Sequence, residues 1–82
     1  MEFVIKPHAL EKMRSRKVPK WLIAEALSRP TKVMNDRQSK LMFKKLYVRN
    51  NKQRLLLVVA EPVKNHLEII MVIETSKVKK YL

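Results

Sequence analysis

Three side chains near the N-terminus combine helical spacing with types suited to phosphate chemistry: His8, Lys12 and Arg16. Residues four apart stack on one side of a helix. With His8 at 0°, Lys12 falls at about 40° and Arg16 at about 80°. An imidazole exchanges protons near neutral pH, and neighbouring cations favour its neutral, proton-accepting form. Lysine and arginine beside it can hold a phosphate. The same row also fits the solvated side of a helix, with His8 as a surface group near its start.

A second cationic set lies in the middle of the chain. From Arg37 to Arg54 there are seven cations and no acid. At strand spacing Lys45, Tyr47 and Arg49 share one face, Lys44 shares the other with Met42, Leu46 and Val48, and Arg54 enters the next strand. Cations next to an aromatic ring suit single-stranded RNA, with phosphates on the cations and a base on the ring. Lysine-rich strands also serve merely to keep a sheet soluble and its edges blunt. The tail residues Lys77, Lys79, Lys80 and Tyr81 extend the same surface or form a solvated terminus.

The composition narrows the chemistry. Nineteen Lys and Arg against seven Asp and Glu give a net charge of +12, which favours a polyanion or an acidic protein as partner. The chain contains no glycine, so the loops that wrap nucleotide phosphates with bare backbone are excluded. It contains no cysteine, so there is no disulfide framework and no thiol nucleophile, and a reducing cytoplasmic location is expected. Two histidines without cysteine make no zinc pattern. Neither a signal peptide nor a membrane span is legible; the longest apolar run, Leu55 to Ala60, is too short to cross a bilayer. Glu68 and Glu74 would lie roughly 20 Å apart on one strand, too far for paired-carboxylate work. Trp21 reads as core rim, and the five methionines read as core filling.

These residues need elements to hold them. Pro7 suits the first turn of a helix in which Ala9, Leu10 and Met13 form the buried arc. Lys17 would fall inside that arc, so the helix ends before it. Pro19 opens a second helix, Lys20 to Ser28, with Leu22, Ile23, Ala26 and Leu27 inward. The period then drops to two. Thr31 to Asn35 reads as an edge strand with Val33 inward, followed by strands Leu41–Arg49, Arg54–Glu61 and His66–Thr75. Asn50-Asn51 makes a tight hairpin, and Pro62 to Asn65 the next turn. On the last strand Leu67, Ile69, Met71 and Ile73 share one face, while Ile70 and Val72 share the other with His66, Glu68 and Glu74. Ser76 to Leu82 reads as a short helix capped by Ser76. The expected fold is α+β, one domain over residues 1–82: two N-terminal helices packed on a three- or four-stranded antiparallel meander, with a short C-terminal helix.

The helix His8-Ala9-Leu10-Glu11-Lys12-Met13-Arg14-Ser15-Arg16, the second helix ending at Pro30 and the closing VIETSKVKKYL together resemble a small prokaryotic family of unknown function. Its members carry a His-Ala-x-x-Arg-Met-x-x-Arg helix and are grouped with RelE-like and BrnT-like toxins. The resemblance covers nearly the whole chain; the helix motif is its most specific part. It implies a metal-independent, cofactor-free RNA-cleaving toxin of the RelE-like architecture, ribosome-associated or not, held by a small acidic antitoxin. His8 and Arg16 match the motif. Lys12 stands where the family has arginine, which keeps the charge but loses the two-pronged donor; the glycine usual after Arg16 is missing, as is a capping Ser or Thr at Pro19. Basic strand residues and a C-terminal tyrosine of such toxins correspond by position to Arg54, Lys45, Lys77 and Tyr81.

Two readings follow. In the first, His8 or Tyr81 moves the proton of a ribose 2′-OH while Arg16 and Arg54 hold the phosphate, and Lys12, Lys44, Lys45, Arg49 and Lys77 bind the flanking RNA. In the second, the same surface binds RNA or a small acidic protein without catalysis.

Overall fold

A computed structural model describes residues 2–36 and 38–82; Met1 and Arg37, the first cation of the central run, lie outside the described residues. The chain order is β1 (Phe3–Ile5), α1 (Pro7–Arg16), α2 (Lys20–Ser28), β2 (Lys32–Asn35), β3 (Leu41–Arg49), β4 (Lys52–Val63), β5 (His66–Thr75) and α3 (Val78–Tyr81).

Both expected helices form. Pro7 occupies the first turn of α1, and Ala9 and Met13 are buried with Leu10 half-buried. Lys17 ends α1 in the left-handed conformation, φ 55°, where glycine would be free of the ~1–2 kcal/mol that a Cβ costs there. A chain without glycine must accept this elsewhere too. Ser39, Asn50, Asn51 and Lys64 also have positive φ, and Asn50-Asn51 makes the two-residue β3–β4 hairpin expected of it.

The sheet is five-stranded and mixed, ordered β1-β5-β4-β3-β2, rather than a three- or four-stranded meander. The added member is β1, which precedes the helices and pairs in parallel with Leu67–Ile69 of β5. Three residues are too few to show a periodicity, so only the edge of β5 defines it as a strand. At the other edge β2 pairs with β3 from Leu41 to Lys44, and Val33 is 46% exposed rather than inward. β4 outruns its expected bounds at both ends, leaving Lys64-Asn65 as the tight turn.

Helices α1 and α2 cover one face of the sheet, the front. Ala9, Met13, Leu22, Ile23 and Ala26 meet Phe43, Leu56, Val58, Ala60, Leu67, Ile69 and Val72 in one buried cluster. The order of faces on β5 differs from simple alternation. A register shift between Val59 and Ala60 pairs Val59 with Met71 but Ala60 with Ile69, leaving Ile70 unmatched. This bulge reverses the parity of the strand. Val72 and Glu74 therefore join Leu67 and Ile69 on the front, and Met71 and Ile73 turn to the back.

The back face is covered differently. Lys44, on the opposite side of β3 from Phe43, donates from Nζ to the carbonyl of Tyr81 at 2.7 Å. This places α3 over Leu55 and Leu57, which are buried but outside the front cluster. The N-cap of α3 is Lys77, not Ser76. Three methionines are not core filling: the pairings Met34↔Met42, Met42↔Val59 and Val59↔Met71 form one row across the back. Met34 and Met71 remain 43% and 40% exposed, whereas Met13 is buried.

Candidate nucleic-acid interface

The row His8, Lys12 and Arg16 lies on α1 beside the stretch of β5 that β1 leaves unpaired. Together with Met71–Glu74 it lines a cleft of about 360 Å³. All three row residues are exposed.

At the floor of this cleft sits Glu74, placed on the front by the bulge in β5. Its side chain is only 3% exposed. Oε1 accepts from Arg54 Nη2 at 2.8 Å, Oε2 accepts from Arg54 Nε, and Oε2 also accepts from the Tyr47 hydroxyl at 2.7 Å. The register explains the convergence, because Tyr47 pairs with Arg54 and Leu56 pairs with Glu74. The hydrogen bond from Arg54 holds the Glu74 carboxyl below its ordinary range, against an opposing effect of burial. Glu74 in turn raises the pKa of Arg54. Burial first, then the hydrogen bond to Glu74, pushes the Tyr47 hydroxyl up to about 12. At neutral pH the cluster is thus a carboxylate, a guanidinium and a neutral phenol. Tyr47 is a donor here, not a base.

A second cleft, lined by Arg49, Asn50, Lys52 and Arg54, opens beside the first. Arg49 links them by donating to the Arg16 carbonyl at 3.1 Å. His8, Lys12, Arg16, Arg54 and Arg49 therefore form one continuous basic surface at the open end of the front face. Arg54 spends two of its five N–H groups on Glu74, leaving three for a ligand.

Other expected site residues are elsewhere. Tyr81 is on α3, across the sheet from His8 and Arg54, so the fold does not bring it together with them. Lys44 is 8% exposed and tied to Tyr81. Lys45 is on the front but donates to the Arg29 carbonyl at 2.7 Å and pairs with Glu25 at 3.7 Å, holding the end of α2. Lys77 lies with Lys79 and Lys80 beside Gln53, in a separate shallow groove. Sequence reasoning missed Glu74 because simple alternation assigned it to the wrong face. It missed the role of Tyr47 because that role depends on Glu74.

No family model, curated protein or solved structure matches the chain. Among the described residues no group of three or more His, Cys, Asp or Glu side chains comes together, and no helix is long and apolar enough to cross a membrane.

Proposed function

We propose that the chain is a toxin-type RNA-binding domain whose basic front surface holds single-stranded RNA and promotes its cleavage through side chains alone. One observation carries the reading: the His8/Lys12/Arg16 row lies against the β5 segment whose Glu74 holds Arg54. An imidazole and two cations, Lys12 and Arg16, thereby share one cleft, and Arg54 lines the next. Arg16 and the free N–H groups of Arg54 hold the scissile phosphate and stabilise the charge that builds on it. His8 accepts the proton of the ribose 2′-OH as that oxygen bonds to phosphorus. It then returns the proton to the departing 5′-oxygen as the old P–O bond breaks. Lys12 and Arg49 bind flanking phosphates. A small acidic antitoxin encoded nearby is the proposed partner and would cover this surface.

The reading is tested by RNA cleavage in chelator, with and without ribosomes, comparing wild type with His8→Ala and Arg16→Ala. Cleavage by wild type and its loss in both variants is expected. Absence of cleavage by wild type, or equal cleavage by all three, overturns the catalytic step.

A second reading, a binding module without catalysis, is favoured by the state of the tyrosines. Tyr47 is held as a neutral donor, Tyr81 is on the other face, and Glu74, which shares the cleft with His8, is tied to Arg54 and Tyr47, so none of the three is a free second proton-transfer group for His8. Salt-dependent RNA binding without cleavage would establish this reading. Failure to copurify with any neighbouring acidic protein would count against the antitoxin.

A further inference from the structure

The fold leaves its largest ring in solvent. Trp21, the only tryptophan in the chain, stands in the first turn of α2 and is 68% exposed. It is not core rim: Leu22 and Ile23 take the buried arc of α2, and residue 21 falls outside it. Facing the same space is Val48, 71% exposed. The cause is the shortness of β2, whose pairing with β3 stops at Lys44. Tyr47 to Arg49 therefore form a bare edge, and a cleft of about 260 Å³ opens between that edge and the start of α2.

Single exposed apolar side chains need no explanation, but Trp21 is not isolated. It shares the cleft with Val48, Tyr47, Lys17 and Arg49, so an apolar wall meets two cations. Arg49 also lines the neighbouring cleft with Arg54 and bonds to Arg16. The ring is thus one side chain away from the surface assigned above to phosphates. A ring beside spaced cations is the arrangement that grips single strands, because an unpaired base can leave its neighbours and lie on the ring. In a duplex the bases are stacked inside and cannot reach it.

We propose that Trp21 is a stacking platform for an unpaired nucleobase of RNA whose adjoining phosphate lies on Arg49. The proposal rests on the RNA-binding reading and adds to it the side chain that would distinguish a single strand from a duplex. Every base has a flat face, so the platform selects unpaired over paired RNA and not one sequence over another.

The single tryptophan supplies the readout. Wild type is titrated with a dye-labelled unstructured oligouridylate and, separately, with a blunt RNA duplex of the same length, following both dye anisotropy and tryptophan emission. The expected result is binding of the single strand with quenching that saturates at the anisotropy midpoint, and binding of the duplex without quenching. Trp21→Ala weakens single-strand binding by roughly fivefold or more and leaves the salt slope unchanged, whereas Trp21→Phe retains most of the affinity. The ring is exposed, so both variants keep the wild-type circular dichroism spectrum. Binding of RNA with unchanged emission and equal affinity in Trp21→Ala overturns the platform and leaves the basic-surface reading standing. No change in anisotropy with either RNA overturns both. A Trp21→Ala variant that binds RNA normally but loses a copurifying protein marks the ring as a protein contact, and also overturns the proposal.

Discussion

The two faces of the sheet use charge in opposite ways. On the front, the buried carboxylate of Glu74 holds Arg54 and Tyr47 at the floor of the cleft lined by the exposed row His8, Lys12 and Arg16. On the back, lysines are fasteners: Lys44 donates to the Tyr81 carbonyl and Lys32 reaches the Leu82 carbonyl at 3.5 Å. Basic residues on both faces look alike in the sequence. The difference is that the front cations Arg54 and Arg49 line open clefts, whereas Lys44 and Lys32 on the back, like Lys45 beside α2, end on backbone oxygens. A net charge of +12 is therefore a poor guide to which cations bind anything.

The largest expected effect comes from removing the front acid. Glu74→Gln leaves Arg54 without its counter-charge and should cost about 2 kcal/mol, below the ~3–5 kcal/mol of a fully buried pair because Arg54 can still reach water. For a domain of this size that is a fall in Tm of roughly 10 °C. The sign of the pH dependence follows from the lowered pKa of Glu74. Its stabilisation is complete above the ordinary carboxylate value near 4.5 and is lost as pH falls through the lower folded value. Thermal melts from neutral to acid pH should show a weaker acid limb in Glu74→Gln. Freeing Arg54 also makes the surface more cationic, so the variant should bind RNA more tightly while being less stable. A variant that loses both would show that Glu74 positions Arg54 for RNA rather than restraining it.

The next effect is carried by Tyr47. Tyr47→Phe removes a hydrogen bond to a carboxylate and should cost about 1.5 kcal/mol at neutral pH. With its folded pKa raised to about 12 from 10.0, the wild-type phenol favours the fold fully below pH 10 and loses that contribution as pH rises towards 12. Alkaline melts in which wild type and Tyr47→Phe decline in parallel would show that the phenol is not held by Glu74. On the back face, Lys44→Met should cost about 1 kcal/mol. It should expose residues 76–82 to proteolysis before the rest of the chain. Protection of the tail unchanged from wild type would mean that α3 is held by packing alone.

What was legible in the sequence followed from regular periods. The bounds of α2, the buried arc of α1 and the Asn50-Asn51 hairpin all rest on local rules that the tertiary structure does not overrule. The misread parts depend on one residue or on distant pairings. Ile70 sits inside the unbroken apolar run from Ile69 to Ile73, so no glycine or proline marks the bulge that carries Glu74 to the front. Phe3–Ile5 is a strand only because β5 offers it an edge. Trp21 is exposed because β2 stops short, and Tyr81 is behind the sheet because the chain crosses that way after Thr75. Of the expected site, the helix row could be read directly. Its floor could not.

The finest test separates front cations from one another. Contacts with single-stranded RNA contribute about 0.7 each to the log–log salt slope. Arg49, which lines two clefts and keeps donors beyond its bond to Arg16, should lower the slope by about that amount when changed to alanine. Lys45 lies four residues away on the same strand face, yet its ammonium is occupied by the Arg29 carbonyl and Glu25. Lys45→Ala should leave the slope unchanged, and Lys44→Ala likewise, because that lysine faces the other way. The three variants carry the same loss of charge, so a purely long-range attraction would weaken all of them equally. Only a surface built from particular unspent donors gives one response and two silences.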